Sequence, residues 1–140
     1  PFGTYKRGRE KAPAALCRKV AMAKSGDSIE IWGDGKQTRS FLYIDDALEA
    51  IYLLMNSDYT KPLNIGSDEL ISINNLTDMI IEISGKKLSK TYDITKPQGV
   101  RGRNANLGLI EKELSWRPKI SYKEGLTKTY KWIKTMIKRQ

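Results

Sequence analysis

Segments with a helical period alternate with segments of strand period along the whole of this 140-residue chain, which confines it to α/β architectures. Ala12 to Lys24 is alanine-rich, tolerates Pro13 in a first turn, and repeats Leu16, Val20 and Ala23 at helical spacing. Ser28 to Trp32 alternates polar and apolar residues, Gly33-Asp34-Gly35 punctuates it, and Ser40 to Ile44 resumes a strand pattern. Asp45 has the chemistry to N-cap a helix whose apolar face is Leu48, Ile51, Leu54 and Met55. Pro62 to Ile65 reads as a short buried strand. Ile73, Leu76, Met79, Ile80 and Ile83 mark a helix that stops at Gly85, a residue suited to a left-handed C-cap. A strand is expected over Lys90 to Ile94. The basic, glycine-rich loop Gln98 to Asn104 then leads into a short helix ending near Trp116-Arg117-Pro118. Ser121 and Glu124 form a capping box for a final helix presenting Leu126, Tyr130, Ile133 and Ile137 on one face. The expectation is one domain over residues 1–140 with few short strands and about five helices.

The composition removes whole classes of chemistry. With no histidine and a single cysteine, Cys17, the chain can build no Ser-His-Asp or Cys-His triad, no histidine or thiolate metal site and no internal disulfide. Any catalysis falls to Lys, Tyr, Asp, Glu or Arg, and no metal is expected. Cys17, inside the first helix, reads as a small buried hydrophobe rather than a nucleophile. No apolar run approaches the ~20 residues of a bilayer span and no signal-like core opens the chain, so a cytoplasmic protein with no membrane partner is expected. The start at Pro1-Phe-Gly, without an initiator methionine, reads as a piece of something longer.

Charge is segregated. Residues 1–40 carry a net +5, residues 41–85 a net −7 and residues 86–140 a net +11, for a total of +9. If the two ends meet, they form a basic face suited to phosphates, on a nucleotide or on a nucleic acid. A nucleic-acid module is the weaker alternative, because Trp32, Trp116 and Trp132 read as core and interface residues and no base-reading motif is present. Gly33-x-Gly35 lacks the third glycine and the βαβ setting of a dinucleotide fingerprint, and reads as a turn. Tyr130 and Lys134 match a Tyr-x-x-x-Lys spacing, but any i, i+4 pair on a helix does so.

Three stretches carry more information together. Pro1-Phe-Gly-Thr-Tyr-Lys-Arg-Gly-Arg-Glu-Lys-Ala-Pro-Ala-Ala15, Trp32-Gly-Asp-Gly-Lys-Gln-Thr-Arg-Ser-Phe41 with Ile44-Asp45, and Gly99-Val-Arg-Gly-Arg-Asn104 resemble the C-terminal portion of the GDP-mannose 3,5-epimerases. These are extended short-chain dehydrogenases/reductases of the NAD-dependent epimerase/dehydratase class. Asn64-Ile-Gly-Ser67, Leu114-Ser-Trp-Arg-Pro118 and Glu124-Gly-Leu126 with Trp132 resemble later landmarks of that superfamily, so the likeness covers essentially the whole chain. It implies the substrate-binding portion of an extended Rossmann-type epimerase acting on a nucleotide sugar such as GDP-mannose; a homo-oligomer is expected separately, by self-association through the face that would pack on the absent half. NAD would be the parent enzyme's cofactor, with its site, the Tyr-x-x-x-Lys pair and a base cysteine absent from this chain.

By the same likeness Lys11 is the catalytic lysine that returns protons to the sugar ring, a role suited to an ammonium beside a developing enolate. Glu10 and Ala12 would line the sugar side, Lys19, Gln37 and Thr38 would contact the nucleotide sugar, and Arg39 and Arg103 would clamp the diphosphate. Two residues depart from the pattern: Asn106 stands where an aspartate is usual, and Ser115 replaces a glycine before Trp116. Helices that would pack on the absent half are expected to leave an apolar patch.

Overall fold

A computed structural model of the chain describes residues 10–139. The Pro1 to Arg9 part of the first motif lies outside the described residues. The elements run α1 (Ala12–Met22), β1 (Ser28–Trp32), β2 (Thr38–Arg39), α2 (Ile44–Met55), β3 (Ile71–Ser72), α3 (Ile73–Ser84), β4 (Ser89–Asp93), α4 (Gly108–Leu114) and α5 (Tyr122–Lys138). Five helices and four short strands among the described residues match the expected α/β composition. β1 and β4 pair in parallel, Ser28 opposite Ser89 through Trp32 opposite Asp93. β2 and β3 form a two-residue antiparallel pair.

The main core joins α1, α3 and α5 to one face of β1. Leu16, Cys17 and Val20 from α1 meet Ile29 and Ile31 from β1, Leu76 and Ile80 from α3, and Leu126, Tyr130 and Ile133 from α5. The strand period does the sorting: Ile29 and Ile31 face inward, so Ser28, Glu30 and Trp32 must share the outward face. Burial of Cys17 pushes its thiol up to about 12, which leaves it inert at neutral pH, as its reading as a small hydrophobe requires. Tyr130 sits within this core rather than beside a substrate. A second cluster joins Ala50 of α2 to Leu107, Ile110 and Trp116.

The local stop and start signals act as the sequence suggests. Gly85 ends α3 at φ 69°, and the Ser121 hydroxyl accepts the backbone N–H of Glu124 at the start of α5. Ser115 ends α4 at φ 50°, ψ 36°, in the left-handed region that a side chain disfavours. Replacing it with glycine relieves that strain. Ser115→Gly is expected to raise stability by about 1 kcal/mol, read as a higher thermal midpoint; an unchanged or lower midpoint contradicts the strain account.

Three expectations need correction. The strand placed at Ser40 to Ile44 forms two residues earlier, at Thr38–Arg39, because β3 supplies a ladder there and none beyond. Pro62 to Ile65 is not a strand among the described residues: Leu63 and Ile65 pack on the second cluster, but no neighbouring strand lies alongside to pair with. Asp45 does not cap α2. The N-cap is Tyr43, without a side-chain bond, and it is the buried Asp46 whose Oδ2 accepts the backbone N–H groups of Lys119 and Ile120, at 3.2 and 3.0 Å. The apolar patch expected on the helices is found on α2, whose apolar face points outward in large part, with Leu48 57% and Met55 79% exposed alongside Ile44, Ile51 and Tyr52.

Candidate functional site

Lys11 is the N-cap of α1, and Pro13 just inside the helix fixes the direction in which the chain enters it. An open cleft of about 570 Å³ lies between this end of α1 and the outward face of β1. Glu10, Lys11, Ala12, Lys19 and Gln37 all line it, so five of the eight site residues suggested by the resemblance converge on one space. Lys11 also borders a smaller apolar cleft of about 270 Å³ formed with Phe41, Tyr43 and Tyr122.

Each wall residue is held in place. The Glu10 carboxylate pairs with Arg18 one side-chain length away on α1, at 2.8 Å. The Lys19 ammonium donates to the Glu30 carbonyl at 2.7 Å and lies 3.8 Å from the Glu30 carboxylate. Gln37 is only 6% exposed; its amide nitrogen donates to the Trp32 carbonyl at 3.0 Å, while its amide oxygen has no partner. A buried acceptor without a partner among the described residues is costly to keep.

Thr38, Arg39 and Arg103 sit outside the cleft wall on a second, adjoining structure. The Thr38 N–H donates to the Arg101 carbonyl at 2.8 Å and the Ser40 N–H donates to the Arg103 carbonyl at 3.1 Å, so the glycine-rich loop runs beside β2. The Arg39 guanidinium bonds to the carbonyls of Thr38 and Gln98, at 2.7 and 3.3 Å. Among the described residues no carboxylate pairs with Arg39 or Arg103. Arg101 differs: it pairs with Asp34 at 3.0 Å. The Lys36 backbone N–H and the Arg101 guanidinium hold the Asp34 carboxyl below the usual carboxylate range, so this pair is intact throughout neutral pH and is lost only in acid. The two basic ends of the chain thus meet at β2.

Glu30 and Trp32 are the wall residues that sequence reasoning missed. Trp32 had read as a core or interface residue; instead it is 51% exposed at the cleft, its indole N–H donating to Glu30 Oε1 at 3.0 Å. The signal was present in the alternation of Ser28 to Trp32, which puts Glu30 and Trp32 on one face once Ile29 and Ile31 are buried. Of the other tryptophans, Trp116 is core and Trp132 packs against the main core.

The described residues do not fit a dinucleotide cofactor. Gly33 and Gly35, both at positive φ, turn the chain from β1 into β2 rather than opening a helix N-terminus toward a pyrophosphate. Their missing side chains make room for protein: a Cβ at Gly33 would strike the Gln98 side chain, and one at Gly35 the Asn74 carboxamide. No group of metal-binding side chains occurs among the described residues, and no described helix is long and apolar enough to cross a membrane.

The family model described as the NAD dependent epimerase/dehydratase family matches residues 1–66. GDP-mannose 3,5-epimerase of Arabidopsis thaliana is 50% identical over 140 residues, 100% of this chain and 36% of that protein. GDP-L-fucose synthase of Sinorhizobium fredii is 38% identical over 120 residues, 83% of this chain and 38% of that protein. Among solved structures, UDP-glucose 4-epimerase of Thermotoga maritima with UDP-glucose matches with a TM-score of 0.84 at 26% identity, over 94% of this chain and 41% of that one. The chain spans little more than a third of the length of the curated relatives it matches.

Proposed function

We propose, from the premise that this chain belongs to the NAD dependent epimerase/dehydratase family and carries part of its extended Rossmann-type α/β fold, that it binds a GDP-sugar such as GDP-mannose for epimerisation. The observation that carries the reading is the pair of arginines, Arg39 and Arg103, on adjoining backbone segments with no carboxylate among the described residues to neutralise either. Guanidinium forks suit two neighbouring phosphates better than ammonium groups do, since each can donate paired hydrogen bonds. The cleft supplies the remainder of the site. The exposed Trp32 face offers a platform for a base, and the orphaned Gln37 oxygen accepts a hydroxyl or amino donor. Both curated relatives act, by name, on a GDP-linked sugar, which favours guanine as that base.

In this reading Lys11 is the catalytic residue. Its ammonium, at the entrance of the cleft, donates a proton to the sugar carbon and offsets the charge of the enolate that precedes it. Glu10 and Ala12 shape the sugar end, while Lys19 and Thr38 complete the contacts to the nucleotide. NAD chemistry, the reversible removal of a hydride from the sugar, belongs to residues beyond these 140, because the turn at Gly33 and Gly35 does not fit a dinucleotide. The exposed face of α2 would be covered in a second copy of the chain, giving a dimer mass by light scattering; a clean monomer at high concentration contradicts that assignment.

Titration with GDP-mannose and with an oligonucleotide at equal ionic strength tests the main reading. Saturable nucleotide-sugar binding supports it. Tight polymer binding with no nucleotide-sugar preference would replace it with a polyanion-binding module.

A further inference from the structure

We infer that Glu30 determines which nucleoside diphosphate the cleft accepts, reading guanine by its paired donors and disfavouring uracil. The inference rests on the nucleotide-sugar reading above and adds a residue that the resemblance did not supply. Glu30 and Trp32 stand two residues apart on the outward face of β1, both lining the cleft. Trp32 provides a flat aromatic surface, one face of which carries the Lys96 ammonium 5.8 Å from the ring centre, leaving the other for a base, and Glu30 stands at its edge with its side chain 54% exposed. Both close contacts of the carboxylate, the Trp32 indole at 3.0 Å and the Lys19 ammonium at 3.8 Å, fall on Oε1. These contacts orient the group, and among the described residues Oε2 has no partner. A carboxylate accepts about four hydrogen bonds in all, so capacity remains on both oxygens.

The chemistry of the bases then decides. Guanine presents N1–H and its 2-amino group side by side, two donors that match the two oxygens of one carboxylate. Hypoxanthine keeps only the first. Uracil presents a single N3–H between two carbonyl oxygens, which a carboxylate repels. A base stacked on Trp32 with its donor edge toward Glu30 gains the pair of charge-assisted hydrogen bonds only if it is guanine, and a site built around such bonds discriminates sharply against an analogue lacking them.

Calorimetric titration of the chain and of Glu30→Gln with GDP, IDP and UDP at fixed ionic strength tests this. The unaltered chain is expected to prefer GDP over UDP by at least roughly tenfold, with IDP between them. Glu30→Gln should bring GDP to within about threefold of UDP, whatever common shift all three ligands share. The ratio is the decisive readout, since removing a charge near Lys19 alters the affinity of every diphosphate together. A uniform change across the three, or a GDP preference that survives the substitution, overturns the inference and leaves the diphosphate site standing. Equal binding of GDP and UDP by the unaltered chain does the same. Failure of all three to bind overturns the nucleotide-sugar reading as well.

Discussion

Asp46→Ala is expected to destabilise the fold by roughly 2–4 kcal/mol, the largest effect of any single polar substitution among the residues discussed. The carboxylate is 3% exposed and one of its oxygens accepts two backbone N–H groups, those of Lys119 and Ile120, from a segment more than seventy residues away. Truncation to alanine leaves both donors without an acceptor in a site that water reaches poorly, and it releases the turn before α5 from the start of α2. That turn carries Ser121, so the capping of α5 is weakened too. Asp46→Asn keeps an acceptor and loses only the charge, and should cost about half as much. Asp45 is the internal control: its side chain is 60% exposed and its one ion pair, with Lys128, is 3.9 Å long. Removing it should change stability by less than about 0.5 kcal/mol. Urea unfolding of the three variants decides the matter, and equal midpoints for Asp45→Ala and Asp46→Ala would defeat the anchoring role.

The contrast between those neighbouring aspartates shows where sequence reasoning holds and where it stops. α3 and α5 were legible because everything that defines them is local: a helical apolar period, a serine N-cap, and in α3 a glycine at the far end. Asp46 was not legible, because its partners are remote and no spacing encodes them. The same limit explains α2. Periodicity identified Leu48, Ile51 and Met55 as one face, but a period says nothing about what covers that face, and here most of it meets solvent. Pro62 to Ile65 has strand chemistry, yet a strand exists only against a neighbour. At the site, resemblance supplied Lys11, Lys19, Gln37 and the two arginines, and the fold brings Lys11, Lys19 and Gln37 into one cleft. Glu30 was passed over because an acidic residue in a basic chain looks like ordinary surface until its strand face is known.

Loss of the arginine pair is expected to have the largest effect on ligand binding. Arg39→Ala should weaken GDP or GDP-mannose binding more than tenfold, and Arg103→Ala by a similar factor, because each removes a forked donor from one side of the diphosphate. Arg39→Lys should recover little of it. The guanidinium already spends donors on the Thr38 and Gln98 carbonyls, and only a group with five N–H bonds can hold those and still reach a phosphate. Arg101→Ala separates this effect from simple loss of positive charge. Arg101 lies on the same loop but is 74% exposed and committed to Asp34, so its removal should weaken binding by no more than about threefold. Raising the salt concentration should reduce the affinity of the unaltered chain steeply and that of the Arg39 and Arg103 variants less, since fewer ionic contacts remain to be screened. If Arg39→Ala and Arg103→Ala both keep full affinity, or if Arg101→Ala is as damaging as either, the diphosphate is not held between β2 and the glycine-rich loop. The anion site must then be sought at Lys11 and Lys19 instead.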